Sequence, residues 1–323
     1  MSNPNSIAVL TSGGDAPGMN AAVRAVVRTA IFKGMDVYGV QRGYNGLITG
    51  EVVKMDLRSV SDIIHRGGTV LYTARSPKFR TPEGVKQAAD YCRELGIKGV
   101  VVIGGDGSYR GARDLTHAGI PCVGLPGTID NDISSTDYTI GFDTAMNTAM
   151  HMVDNIRDTS QSHDRCSVVE VMGRNAGYLA LHTGIACGAT SILVPEIPCD
   201  LEKDVIPKIT RTQATGKKNF IVIVAEGVGG TENIARHIQE LTGIDTRATI
   251  LGHVQRGGSP TVRDRVIATQ MGYHAVELLE QGIGNRVVGI KEDKVVDFDI
   301  DEALEMTKPF EDELYKIADV VSI

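Results

Sequence analysis

The fold is indicated most clearly by residues 99–108, Gly-Val-Val-Val-Ile-Gly-Gly-Asp-Gly-Ser, where an apolar run ends in a glycine-rich turn. The β-branched run predicts a buried strand, and the turn predicts a following helix that begins near Tyr109. The same order recurs at Cys122–Leu125, which leads into Pro-Gly-Thr-Ile-Asp-Asn-Asp at 126–132. Because open α/β sheets bind ligands at the carboxyl edge of their strands, both turns are predicted to lie at a binding edge.

The alternation of apolar run, turn and helical pattern continues along the chain and predicts parallel strands joined by crossover helices. Met19–Lys33 is predicted to form the first helix. Further predicted strands are Ile7–Leu10, Ser167–Val171, Phe220–Val224 and a hairpin of Val287–Ile290 and Lys294–Phe298 about Glu292-Asp293. Since 323 residues exceed what one core usually holds, we expect an α/β protein of two domains.

The composition is that of an ordinary globular enzyme and disfavours several other classes of protein. Hydrophobic residues make up 42% and charged residues 23% of the chain. No apolar run approaches the roughly 20 residues of a membrane-spanning helix, and the amino terminus lacks a signal pattern. A net charge of −7 disfavours nucleic-acid binding, and 5 cysteines without C-x-x-C spacing predict reduced, packed thiols. We expect a cytoplasmic protein with neither nucleic-acid nor membrane partners.

Three turns have the composition of a phosphate site. Ser-Gly-Gly-Asp-Ala-Pro-Gly at 12–18 opens the first predicted helix, where backbone amides favour anions, although a purely structural turn is the alternative. Asp106, between two glycines, could bind Mg²⁺ beside a polyphosphate or could cap the following helix. Asp130 and Asp132 would point the same way in an extended segment, so that one accepts a hydroxyl proton and the other positions metal or partner groups. The alternative there is an Asx turn.

Basic residues near other turns could bind the phosphate of an acceptor, because forked guanidinium donors match phosphate oxygens. These residues occur in His163-Asp164-Arg165, Met172-Gly173-Arg174, Thr246-Arg247-Ala248 and His253-Val254-Gln255-Arg256. Glu226 could accept sugar hydroxyls, and Arg75 could stabilise charge that develops during transfer. Taken singly, each of these arginines would more often be a solvated surface charge, but four of them in strand-end contexts favour phosphate binding. Glu226 could instead cap the following turn.

Together these motifs closely resemble the bacterial ATP-dependent 6-phosphofructokinase family, in order from about Ile7 to Asp297. The resemblance rests on residues 11–20, 104–108, 126–132, 170–174 and 251–260. It implies two three-layer α/β domains with mostly parallel sheets, an active site in the cleft between them, and a homotetramer. It also implies a larger ATP-binding domain of 1–140 plus 254–304 and a smaller fructose 6-phosphate-binding domain of 141–253 plus 305–323.

The resemblance implies a role for each matching residue. The ATP-binding set is Gly14, Arg75, Ser76, Gly105, Asp106, Gly107 and Ser108, with Asp106 holding Mg²⁺. The catalytic set is Asp130, Arg75, Thr128, Asp132 and Arg174, with Asp130 as the base for the fructose 1-hydroxyl. The fructose 6-phosphate set is Thr128, Ile129, Asp130, Arg165, Met172, Gly173, Arg174, Glu226, Arg247, His253, Val254, Gln255 and Arg256. Arg165 and Arg247 would reach the site from a neighbouring subunit. The implied reaction is transfer of the ATP γ-phosphoryl group to O1, giving fructose 1,6-bisphosphate and ADP in glycolysis.

Two glycines indicate the phosphoryl donor. In pyrophosphate-dependent relatives an aspartate typically stands at the position of Gly107 and a lysine at that of Gly127, where ATP needs room. Both positions are glycine here, so ATP is the expected donor and pyrophosphate the alternative.

An effector pocket for ADP or phosphoenolpyruvate is implied less completely. The matching residues are Arg24, Arg28, Asp62, Arg157, Lys217 and Lys218. Thr190 stands where an acidic residue is common, Thr215 where a basic one is common, and Leu57 where the family has arginine. We therefore expect weakened or altered effector control, while the Arg24/Arg28 pair alone could be a solvated helix face.

Three other functions compete. A lipid or NAD kinase shares the Gly-Gly-Asp-Gly turn but does not require segments 172–174 and 253–256. A nucleotide-sensing binding protein would have no reason to keep Asp130. A dehydrogenase would need a G-x-G-x-x-G fingerprint after the first strand, which is missing here.

Overall fold

The computed structural model describes residues 6–322. The strands are β1 Ser6–Thr11, β2 Asp36–Val40, β3 Val52–Met55, β4 Ile97–Gly104, β5 Cys122–Pro126, β6 Cys166–Val171, β7 Ser191–Leu193, β8 Phe220–Ala225, β9 Thr246–Ile250, β10 Arg286–Lys291 and β11 Lys294–Asp299. The helices are α1 Met19–Phe32, α2 Tyr44–Thr49, α3 Pro82–Glu94, α4 Asp106–His117, α5 Phe142–Ser162, α6 Tyr178–Ala186, α7 Ile206–Ala214, α8 Thr231–Thr242, α9 Val262–Glu280, α10 Ile300–Glu305 and α11 Asp312–Val321. Short 3₁₀ helices span Lys78–Arg80 and Gly252–Arg256, and a π-helical turn spans Leu201–Val205. Within 6–322, no helix is both long and apolar enough to cross a membrane.

The strands form two sheets. The larger has seven strands in the order β11-β10-β5-β4-β1-β2-β3, and the smaller has four in the order β7-β8-β6-β9. In the larger sheet only the outer pairs β2–β3 and β10–β11 are antiparallel, and every described pair of the smaller sheet is parallel. This confirms the predicted α/β class with mostly parallel sheets.

Contacts divide the chain into two compact units, one around each sheet. The first unit contains the described residues up to Ile129 together with Ile133–Thr144 and Arg256–Lys308. The second contains Asp130–Asp132, Ala145–Gln255 and the described residues from Pro309 onward. The domain boundaries and ligands implied by the resemblance stay predictions.

Apolar runs of the sequence become the buried strands of each unit. Val100 and Val102 of β4 are fully buried and pack in one cluster with Leu115 of α4. In the second unit, Val222 of β8 packs in a cluster with Ile238 of α8. Helices cover the apolar faces of these strands. The turns from strand to helix therefore lie at the carboxyl ends of the strands, at one edge of each sheet.

The structure differs from the sequence-based expectations at two turns. Helix α4 begins at Asp106 rather than near Tyr109, because Gly105 takes the extended N-cap conformation. Asp106 therefore lies in the first turn and does not cap the helix. The segment 128–132 is not extended, since Asn131 has a φ of 52°. Asp130 and Asp132 therefore do not share the extended geometry that the sequence predicted for them, which would have pointed both side chains the same way.

Two further expectations are confirmed. Strands β10 and β11 form the predicted antiparallel hairpin, and its turn residues Glu292 and Asp293 have φ values of 50° and 59°. The 5 cysteines all lie in the described part of the chain and are free thiols, and only Cys199 is exposed. Burial raises the pKa of Cys92 and of Cys166 to about 12, so both stay protonated and act as packing groups.

Candidate active site

Three predicted turns meet at the carboxyl edge of the larger sheet. Strand β1 lies between β2 and β4, so the connections from β1 and β4 run in opposite directions and leave a crevice there. The amide of Ser12 donates to the carbonyl of Ile103 at 2.9 Å, and that of Gly127 donates to the carbonyl of Gly104 at 3.0 Å. The turns after β1, β4 and β5 are therefore neighbours, as the sequence predicts.

Glycine is required at Gly104 because the turns approach so closely. The Ser108 hydroxyl donates to the Ser12 carbonyl at 3.1 Å across this point. A Cβ on Gly104 would lie 2.3 Å from the Ser108 hydroxyl and 2.4 Å from the Ser12 carbonyl. A side chain at position 104 would therefore push the turn after β1 and the start of α4 apart.

The amino end of α4 faces open space. Among the described residues, no side chain caps this helix, and the amides of Ser108 and Tyr109 bond to the Gly105 carbonyl. Apart from the two chain neighbours of Gly107 and the backbone of α4 itself, no described atom would lie within 4 Å of a Cβ on Gly107. Helix α4 is twelve residues long. The backbone amides at its uncapped amino end are suited to an anion such as a polyphosphate.

The donor set at this helix end fits a Mg²⁺ ion shared with a ligand. Asp106 is exposed in the first turn of α4, beside the amides that suit phosphate. Within 6–322, no three His, Cys, Asp or Glu side chains converge to hold a metal by themselves. Mg²⁺ commonly takes one or two carboxylates and completes its shell with phosphate oxygens and water, so a single carboxylate such as Asp106 is compatible with a shared Mg²⁺ site.

Arg75 and Ser76 follow a segment that is anchored to the first turn. The Thr73 hydroxyl donates to the Gly13 carbonyl at 2.7 Å, and the Thr11 hydroxyl donates to the Tyr72 carbonyl at 2.8 Å. Arg75 itself is exposed and Ser76 is half-buried. The structure therefore brings the backbone of the Arg75 segment to residues 12–18, the turn after β1 that we call the phosphate turn. The arginine side chain stays accessible.

Asn20 received no role from the sequence, although it holds residues 66–70, which lead into the Arg75 segment. It is buried, its amide donates to the Arg66 carbonyl at 3.0 Å, and its oxygen accepts from the Val70 amide at 2.8 Å. The signals in the sequence were its place at the end of the 11–20 motif and its polar character in a helix otherwise rich in alanine and valine.

Arg256 lies against the turn after β1. Its Nη1 donates to the Asp15 carbonyl at 3.2 Å. A Cβ on Gly14 would lie 2.5 Å from this nitrogen, so a side chain at position 14 would displace the Arg256 guanidinium. Arg256 and Gly14, which the resemblance gives to sugar phosphate and to nucleotide, are thus in contact.

Asp130 and Arg174 form an ion pair. The distance from Arg174 Nε to Asp130 Oδ2 is 3.2 Å, and the side chains are 55% and 1% exposed respectively. Arg174 has a φ of 54°, and its amide donates to Glu226 Oε1 at 2.6 Å. Glu226 therefore holds the turn that presents the arginine to the buried carboxylate.

Gln255 supports the same turn from another segment. It is fully buried, and its side-chain oxygen accepts from the Met172 amide at 2.8 Å, while Nε2 has no hydrogen-bond partner among the described residues. His253 and Val254, the neighbours of Gln255 in the 3₁₀ helix, are exposed. The predicted segments 172–174 and 253–255 are thus brought together.

Arg165 and Arg247 are not brought to Asp130 within one chain. Both lie at the amino ends of the neighbouring strands β6 and β9, whereas Arg174 follows the carboxyl end of β6. Both pair with Asp245, at 2.6 Å and 3.1 Å. The hydrogen bond from Arg165, aided by Arg247 and opposed by burial, lowers the pKa of Asp245.

The predicted effector residues fall in both units. Arg24, Arg28 and Asp62 belong to the first unit, and Arg157, Lys217 and Lys218 to the second. Burial, and secondarily the charge of Arg28, lowers the pKa of Arg24, and burial beside Arg157 likewise lowers that of Lys217. Thr190 is fully buried, so its side chain does not face solvent.

The chain belongs to the phosphofructokinase family, since the sequence model of that family matches residues 6–279. An ATP-dependent 6-phosphofructokinase of Clostridium botulinum strain Hall is 59% identical over 98% of this chain and 99% of its own length. A protein of the same name from Bacillus thuringiensis strain Al Hakam is 57% identical over 98% of this chain and 99% of its own. The solved phosphofructokinase of Saccharomyces cerevisiae superimposes with a TM-score of 0.89 at 39% identity over 98% of this chain, which spans 48% of the yeast chain.

Proposed function

We propose that this chain is an ATP-dependent 6-phosphofructokinase that phosphorylates O1 of fructose 6-phosphate. The observation that carries the proposal is the buried Asp130 carboxylate, two residues beyond Thr128. The Cβ of Thr128 lies 3.9 Å from where a Cβ on Gly105 would be, so the two turns are neighbours. A carboxylate that follows a turn beside phosphate-binding amides can take the proton of an attacking hydroxyl. Near full-length relatives with that name support the same function.

The nucleotide is assigned to the first unit. Amides at the start of α4 bind the phosphates, and the proposed ligands are Gly14, Arg75, Ser76, Gly105, Asp106, Gly107 and Ser108. Mg²⁺ bound through Asp106 would neutralise part of the phosphate charge. Arg75 adds a guanidinium that balances charge developing on the transferred group.

The sugar phosphate is assigned mainly to the second unit. Asp130 accepts the proton from the 1-hydroxyl, and Arg174 holds the carboxylate in place, with Thr128 and Asp132 beside it. The remaining proposed contacts are Ile129, Met172, Gly173, Glu226, His253, Val254, Gln255 and Arg256. Since Arg165 and Arg247 lie at the other end of their strands, we assign them to the site of a neighbouring copy in a homotetramer.

Gly107 supports ATP as the donor more directly than Gly127 does. The position of Gly107 opens to space at the helix end, where an aspartate side chain would place a charge beside nucleotide phosphates. A Cβ on Gly127 would instead lie 3.0 Å from both Ile103 Cγ2 and Met19 Cε. Interior packing therefore also favours glycine at position 127, whichever phosphoryl donor is used.

The remaining assignments follow from the resemblance. The first unit corresponds to the ATP-binding domain and the second to the fructose 6-phosphate-binding domain. A cytoplasmic location suits a glycolytic kinase. The basic groups Arg24, Arg28, Arg157, Lys217 and Lys218, with Asp62, would bind ADP or phosphoenolpyruvate as an effector, with weakened control because Thr190 is buried and carries no charge.

The test is the rate of fructose 1,6-bisphosphate formation from fructose 6-phosphate with Mg²⁺ and either ATP or pyrophosphate. We expect turnover with ATP and a rate with pyrophosphate lower by at least about a hundredfold, equivalent to about 2.7 kcal/mol in the barrier. Faster turnover with pyrophosphate would select the alternative donor. No turnover with either donor, while nucleotide still binds, would favour a nucleotide-sensing protein.

A further inference from the structure

Asp264 is a fully buried carboxylate that no part of the proposed chemistry uses. It lies in the first turn of α9, where its amide donates to the Thr261 hydroxyl at 3.3 Å. Burial raises the pKa of this carboxyl group, although four hydrogen bonds oppose the rise. A buried carboxylate is costly to keep, so its surroundings indicate what it stabilises.

All four hydrogen bonds come from the segment that starts α5. Oδ1 accepts from the Gly141 amide at 2.8 Å and from the Tyr138 hydroxyl at 3.0 Å. Oδ2 accepts from the Thr144 amide at 2.9 Å and also from the Thr144 hydroxyl. Asp264 thus caps the amino end of α5 from a different helix, and the helix end favours its negative charge.

The same segment holds the turn that precedes Asp130. The Thr139 hydroxyl donates to the Thr128 carbonyl at 2.7 Å, and the Ile140 amide donates to the Pro126 carbonyl at 2.8 Å. Thr139 and Ile140 lie in the chain between Tyr138 and Gly141, the two residues that donate to Asp264 Oδ1. Asp264 is therefore linked to the backbone of Thr128 by two hydrogen bonds, which the backbone of residues 138–141 joins.

The segment also packs against the turn after β1. A Cβ on Gly141 would lie 2.7 Å from Ala16 Cβ, and a Cβ on Gly18 would lie 2.7 Å from Ile140 Cγ2. Neither glycine can carry a side chain without a shift, because both also have a φ of 105°. Residues 138–141 are thus fixed between the phosphate turn and the turn of Thr128.

We propose that Asp264 is a positioning residue for phosphoryl transfer, which through residues 138–144 fixes the Thr128 turn, from which the chain continues to Asp130, relative to the phosphate turn. This inference rests on the proposed function. It assigns Asp264 no contact with substrate. A displacement of about 1 Å in such a constellation can cost about a hundredfold in rate, so the effect should appear in kcat.

The test compares D264N with the matched control D297N. Asp297 is also a partly buried carboxylate of the first unit, bound by His274 at 2.9 Å and Arg286 at 2.6 Å, but it lies in the hairpin. Asn keeps the size of the side chain and loses charge and acceptor capacity at both positions. We expect D264N to lower kcat per ADP-binding site by about tenfold to a hundredfold, with ADP affinity within about threefold. D297N should lower the melting temperature and keep kcat.

The D130N and D130N/D264N enzymes complete a double-mutant cycle. If Asp264 acts through the Asp130 turn, its substitution should change kcat by less than about threefold once Asp130 is gone. If D264N does not fold, T144V and T144S replace it, because valine removes the hydroxyl bond to Asp264 and serine keeps it. Full kcat in D264N, or in T144V, would overturn the positioning role. Failure of the wild-type enzyme to phosphorylate fructose 6-phosphate would instead overturn the proposed function.

Discussion

Arg174 Nε lies 3.2 Å from Oδ2 of the buried Asp130, while the amide of Arg174 is held by Glu226. The arginine side chain is 55% exposed, so one of its faces meets the carboxylate and the rest is accessible to an anionic ligand. The geometry thus suits both roles proposed for Arg174, which are to orient Asp130 and to contact the phosphate of fructose 6-phosphate.

R174A should lower kcat/KM for fructose 6-phosphate by at least about tenfold, because a buried carboxylate loses its cation and the ligand loses a donor. R174K should fall between wild type and R174A, since lysine keeps the charge without the planar fork. Steady-state kinetics measures both variants. ADP affinity serves as the control, and equal kcat/KM in R174A and wild type would contradict the role of the pair.

The two donor glycines should respond differently to substitution. G107D should lower kcat/KM for ATP by at least about tenfold without lowering the melting temperature, because its side chain enters open space beside the phosphates. G127A should lower the free energy of unfolding by about 1–3 kcal/mol, because its methyl group meets Ile103 and Met19. Kinetics and thermal melts measure the two effects. An unchanged kcat/KM for ATP in G107D would remove the structural argument for the donor.

The shared site of the proposed tetramer makes a complementation test possible. Homo-oligomers of R247A lack a group donated to the neighbouring site, and those of D130N lack the base. Refolding the two variants together should restore turnover above either alone, because some sites in mixed oligomers receive both intact groups. Hybrids that form, as shown by a size tag on one chain, and stay at the level of the parents would contradict the sharing of Arg247.

Effector control should be weak. Thr190 carries no charge and is buried, and its hydroxyl has no partner among the described residues, so it cannot help to hold an effector's metal ion. Rate curves against fructose 6-phosphate should shift by less than about threefold in half-saturation with ADP or phosphoenolpyruvate, a coupling below about 0.7 kcal/mol. K217A is the matched variant, and strong wild-type regulation by both compounds that K217A abolishes would contradict the prediction.

Local patterns accounted for most of the fold. The β-branched runs before glycine turns predicted β1, β4, β5, β6 and β8, because both signals lie within a few residues of each other. The inner strand β2 was not predicted. The first turn of α4 was not predicted, since a glycine N-cap leaves no polar side chain to mark it. The turn at Asn131 was missed because a left-handed residue inside an Asx-rich stretch has no unique sequence signal.

Pairing within the site could be predicted less well. Motif order placed Asp130 and Arg174 in one site but gave no reason for their contact, which depends on the turn that Glu226 holds. Asp264 was missed for a different reason. With Thr261 it forms a Thr-x-x-Asp pattern typical of a helix start, whereas its partner Thr144 lies 120 residues earlier in the chain.

The most direct test of the central claim is the single-turnover rate of D130N with saturating ATP and fructose 6-phosphate, measured per ADP-binding site. Asn keeps the size of Asp130 but cannot accept the hydroxyl proton. We expect the rate to fall by about 10²–10⁴-fold with ADP affinity within about threefold of wild type, the range for loss of a general base. A rate within about tenfold of wild type would contradict the role of Asp130 as the base.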